Sequence, residues 1–177
     1  MTWEAFHSRG DVLRRVFAEV AIRRDGRLPM DLPGVAETFR DELDLLGALQ
    51  LRWHTRLHGQ LERQLHLEPM DLDAAVIAAW RATADEIPGI REIQDHYLAN
   101  PTSVEMARAT TMASARERQM LALIAGRVST LEADEHGDRI GAELEAEARR
   151  GYRLPEPVRP PANVTFLDRI RAAMNAA

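Results

Sequence analysis

The stretch LQLRWHTRLHGQLERQ, residues 49–64, decides the fold. Together with its flanks it sets Phe39, Leu43, Leu46, Leu49, Trp53, Leu57, Leu61 and Leu65 at intervals of three and four, the repeat of one helical face. The pattern predicts a helix over 33–65, about 45 Å long at ~1.5 Å per residue. Inside its apolar arc stand Gln50 and His54, one turn apart, with His58 a further turn along toward the rim and Glu62 beyond it.

Polar side chains in an apolar seam need partners, since an unpaired buried group costs about 1–3 kcal/mol. Gln50 and His54 can be satisfied inside the bundle, by each other or by a neighbouring helix. They can also meet counterparts across an interface between protomers, with Trp53 beside them as the apolar anchor. A third reading is a metal site, because His54-x-x-x-His58 presents two imidazoles to one ion and Glu62 adds a carboxylate. The chain lacks the further ligands at regular spacing that mark zinc or di-iron bundles; Glu4-x-x-His7 has no second copy on another helix.

The rest of the chain extends the helical reading. Ala, Leu, Glu and Arg abound, while aromatic residues make up only 5%, which favours helix over sheet. Residues 2–24 carry a helical stripe with a break expected at Ser8-Arg9-Gly10-Asp11, and Arg24-Asp25-Gly26 ends it. Pro-Met-Asp-Leu occurs at 29–32 and again at 69–72. Asp31 and Asp71 fit helix N-caps, with Met30 and Met70 placed to staple against Val35 and Ala75. Further helices are predicted over 72–86, 89–98 and 102–133, the last rich in small residues, and a polar one follows a glycine-rich break to about residue 150. After Gly151, four of the nine prolines crowd into LPEPVRPP, residues 154–161, a semi-rigid tether. It leads to NVTFLDRIRAAM, where Phe166, Leu167, Ile170 and Met174 share one helical face.

The expected architecture is all-α: a bundle of about five or six helices over residues 1–150, with two long members, then a Pro-rich linker over 151–163 and a tethered amphipathic helix over 164–177. At 177 residues one core is sufficient without staples. The absence of cysteine removes disulfides, thiolate metal sites and thiol nucleophiles together. A net charge of −5 speaks against general affinity for nucleic acid, although every cation is arginine. No apolar run has the length of a signal peptide or membrane span, so a cytoplasmic chain is expected. No nucleophile elbow, phosphate loop or dinucleotide fingerprint is present. The sequence therefore predicts a non-catalytic interaction or assembly module without a cofactor, which self-associates or docks on a larger protein complex. Gln50, Trp53, His54 and the face of Phe166, Leu167, Ile170 and Met174 are its candidate contacts. The alternative is a small metal-binding helical protein, with or without enzymatic activity, that holds a divalent transition metal through His54, His58 and Glu62.

Overall fold

The computed structural model describes residues 3–67 and 70–156, with side chains from residue 9 onward. The described chain forms α1 (Trp3–Arg23), α2 (Val35–Thr38), α3 (Glu42–Leu67), α4 (Leu72–Glu86), α5 (Ile90–Ala99), α6 (Val104–Ile124) and α7 (Asp138–Arg149), and no strand. It is all-α, as its composition requires. Helix α3 runs through the middle of the core, where Leu45, Leu46, Leu49, Trp53 and Leu57 have no solvent exposure. Helix α4 packs along it, α7 lies against α4 and α6, and α5 fits between α1, α3 and α6. Among the described residues no helix is long and apolar enough to cross a membrane.

Several expected boundaries move. The helix predicted over 33–65 starts only at Glu42, because Phe39 adopts an extended backbone (φ −114°, ψ 131°) that ends the single turn of α2. Asp41 restarts the chain as a helix by accepting the Asp44 amide at 2.8 Å. Phe39 keeps its place in the core although it is off the helix, so the apolar stripe continued through a break that its spacing could not show. The helix predicted over 102–133 stops at Ile124. Gly126 takes φ +66°, and the amides of Gly126 and Arg127 turn back onto the carbonyls of Leu123 and Ala122, the Schellman closure that glycine favours. Conversely, α1 passes through residues 8–11 unbroken, so Asp11 pairs with Arg14 on the helix surface and caps nothing. At 21 residues α1 equals α6, which makes three long helices, not two.

The two Pro-Met-Asp-Leu copies do different work. Asp71 caps α4 by accepting the Ala74 amide at 2.9 Å, but Met70 is 95% exposed and staples nothing. Asp31 caps no helix; Gly34 starts α2, and the Asp31 carboxylate takes two bonds from Arg23, 2.7 and 2.6 Å long.

A π-helical turn, Ala133–Gly137, runs straight into α7. It delivers Gly141 onto α6 so closely that a Cβ there would collide with the carbonyl of Arg118. The interface between α6 and α7 depends on that missing side chain. Past residue 150 the chain still touches the bundle, for Tyr152 packs edge-on against Trp80 with ring centres 5.8 Å apart and donates to Asp85 at 2.7 Å. The segment 164–177, where the sequence predicts a tethered helix carrying Phe166, Leu167, Ile170 and Met174, lies outside the described residues.

Candidate binding site

Gly89 opens α5 with φ +86°, and a Cβ there would sit 2.6 Å from the carbonyl of Val20. This close approach to α1 sets the rotation of α5. Ile90, Ile93 and Tyr97 enter the core, and one step round the helix Arg91 and Gln94 are buried with them at 8% and 9% exposure.

Arg91 spends its guanidinium on three carboxylates from three helices. Nη1 donates to Glu117 on α6 at 2.7 Å, Nη2 to Glu145 on α7, and Nε to Asp95 one turn along α5 at 3.0 Å. The rings of Trp53 and Trp80 flank it, 5.5 and 5.8 Å from Cζ. Glu145 also accepts from Arg118 at 3.0 Å and from Arg149, which bridges to both oxygens of Asp95 at 2.8 and 2.9 Å.

The two deeply buried glutamates respond in opposite senses. Burial pushes the Glu117 carboxyl above its ordinary range further than Arg91 can pull it down, and neighbouring Glu145 adds to the rise. Burial would raise Glu145 too, but Arg91, Arg149 and Arg118 together outweigh it and hold the group below that range. Three arginines meet Glu145, and one meets Glu117.

In front of this network lies a cavity of about 260 Å³ between α3, α5 and α6. Arg91, Asp95 and Glu117 contribute its charged wall, Leu51, Leu98 and Ala113 its apolar wall. Gln50, His54, Gln94, Thr110 and Ser114 also face it. The Thr110 hydroxyl is used, donating to the Met106 carbonyl at 2.9 Å. Gln94 Oε1 and Ser114 Oγ are not: both are closed off from water and, among the described residues, have no hydrogen-bond partner. Such orphans each cost about 1–3 kcal/mol in a closed interior, and they need a partner from beyond the described residues or a rearrangement.

The side chains singled out from the sequence divide here. Gln50 and His54 reach the cavity, but among the described residues no hydrogen bond joins them to each other; the partner of His54 is His58, with the two Nε2 atoms 3.1 Å apart and the rings edge to face. Burial, with His58 adding, pushes the His54 imidazole below its ordinary value of 6.5, so near neutrality the ring is uncharged. His58 and Glu62 are exposed on the outer face, and Glu62 stands two turns beyond His54, roughly 12 Å along the axis. Among the described residues no group of three or more His, Asp or Glu side chains is placed to hold a metal ion. Trp53 fills the core with no exposure and so supports the site from behind rather than offering a contact surface.

The sequence reading passed over Arg91, Gln94, Glu117 and Glu145. A signal was present in α6, where Glu117 occupies the same stripe as Met106, Thr110 and Leu121, and in α7, where Glu145 sits beside Leu144 and one turn before Arg149. Comparison of the chain with known protein families, with curated proteins and with solved structures finds no match, so the geometry alone carries the functional reading.

Proposed function

We propose that this chain is a non-catalytic helical binding module whose recognition site is the cavity between α3, α5 and α6. The observation that carries the reading is the pair of orphaned polar atoms, Gln94 Oε1 and Ser114 Oγ, on residues that line an open, partly apolar cavity. Binding is favoured over catalysis because the groups able to move protons there are engaged: Asp95 and Glu117 by arginines, His54 by His58. The ion-pair network behind the wall makes the site a rigid receptor. Protein-observed NMR of the full chain against a mixture of small neutral and charged fragments tests this. Shift changes that gather on Gln50, Leu51, Gln94 and Ser114 support it; changes scattered elsewhere, or none, overturn it.

Self-association is a second reading, favoured by large apolar side chains left in water. Leu67, Met70 and Leu72, at the turn between α3 and α4, are 58%, 95% and 36% exposed, and Leu72 reaches the turn after α6, where Leu131 is 94% exposed. It requires a solution mass above the 19.9 kDa of one chain, falling to one chain when Met70 and Leu131 are both replaced by Lys. The metal alternative now rests on His54 and His58 alone, with the separation of their Nε2 atoms in its favour.

A further inference from the structure

We infer that the cavity takes a compact, uncharged molecule that carries a hydrogen-bond donor and an acceptor on an apolar body, a carboxamide being the simplest such group. This rests on the cavity being the recognition site and adds the class of ligand.

Charge comes first. The ionic groups around the cavity already balance, Arg91 and Arg116 against Asp95 and Glu117, and the two innermost, Arg91 and Glu117, are bonded to each other at 2.7 Å. A further anion or cation would enter with its own charge unmatched, which is costly away from water. An uncharged guest meets no such opposition.

Hydrogen bonding narrows the class. Gln94 as a residue is 9% exposed, and among the described residues its oxygen is unpartnered. Its terminal torsion is soft and its two ends nearly isosteric, so a half-turn presents either the oxygen or the amino group to the lumen. Ser114 can likewise rotate its hydroxyl inward. Once both groups have turned inward, a guest amide answers both: its N–H donates to Gln94 Oε1 while its carbonyl accepts from the Ser114 hydroxyl. A hydrocarbon answers neither. Leu51, Leu98 and Ala113 receive the apolar body, and 260 Å³ falls just short of the ~300 Å³ at which drug-sized pockets begin, so the guest is small.

Four probes that share one ring separate the possibilities: benzamide, benzoate, benzylamine in its ammonium form, and toluene, each titrated into the labelled full chain with NMR detection. Benzamide should shift the Gln94 side-chain amide and the Ser114 resonances and bind about tenfold more tightly than the other three, the worth of one good hydrogen bond. Gln94→Met should remove that preference and leave toluene binding unchanged. Ser114→Ala makes the same comparison should the first variant fold poorly. Ser114→Leu, which fills the space, should abolish binding of all four. If benzoate, benzylammonium or toluene binds in the cavity as well as benzamide does, the assignment of ligand class is overturned while the cavity remains a binding site. If no probe moves a cavity resonance in a folded chain, both are overturned.

Discussion

Arg91 brings a fixed charge into a region that α5, α6 and α7 seal from solvent, and it stays there because its fork meets a carboxylate on each of them. Arg91→Met removes the cation and strands Glu117, while Glu145 keeps Arg118 and Arg149. The variant should lose about 3–5 kcal/mol in urea unfolding, the usual result of deleting one member of a buried ion pair. Glu117→Gln, which keeps an acceptor for Arg91, should cost much less. His54 makes a second prediction at this scale. Its folded value lies below 6.5, so the unfolded chain binds the extra proton first as pH falls. Stability from this group is complete above pH 6.5 and declines as the pH drops from there toward its folded value. His54→Gln should flatten that part of a plot of thermal midpoint against pH. His54 was legible in the sequence because it interrupts an apolar stripe on a long helix. Arg91 was not, because α5 has only ten residues and an arginine four places before an aspartate looks like an ordinary surface pair.

Helices that begin and end on side-chain chemistry were read well, those ended by backbone geometry less well. Helix α4 lies at 72–86 as predicted, held between the Asp71 cap and the turn at Ile87, whereas α3 and α6 were drawn too long through Phe39 and Gly126. An apolar residue out of the helix and a lone glycine within a helical pattern leave little trace in periodicity. The duplicated tetrapeptide shows the same limit, since identical letters cap a helix at one site and hold Arg23 at the other. Asp71→Ala should therefore cost ~1 kcal/mol, and Asp31→Ala should leave the unfolding midpoint almost unmoved, both read by chemical denaturation. At Gly141 an added methyl has no room against the Arg118 backbone. Gly141→Ala should force α6 and α7 apart, with a loss of about 3 kcal/mol or more and weakened helical signal on mild heating.

Taken as one molecule, the chain sets opposed acid responses against each other. Glu145 and Asp44 have folded values below the ordinary ones of 4.5 and 3.8, so the stability they provide is present above those values and lost as the pH falls through the folded ones. Glu117 runs the other way: its folded value lies above 4.5, so the folded chain takes up that proton first and gains stability as the pH falls toward 4.5. On mild acidification the gain from Glu117 should work against the loss from His54, and a steeper drop should follow as Glu145 and Asp44 take up protons. Glu117→Gln should remove that gain and keep the drop, as measured by urea midpoints across the acid range. The all-α class was legible at this scale from composition alone, while the cavity was not, since its walls come from residues more than fifty positions apart in sequence, Gln50 and Ser114 among them.

The π-helical turn ahead of α7 meters chain length to the single residue. Gly141, Leu144 and Glu145 all meet their partners at one angular setting, and each residue added or removed upstream turns a helix by about 100°. Deleting Glu135, an exposed side chain with little packing to lose, would swing the seam of α7 out toward water, Glu145 with it. Substitutions at 134–136 should thus be well tolerated where a deletion there is ruinous, a distinction that a deletion scan by protease resistance would draw at once.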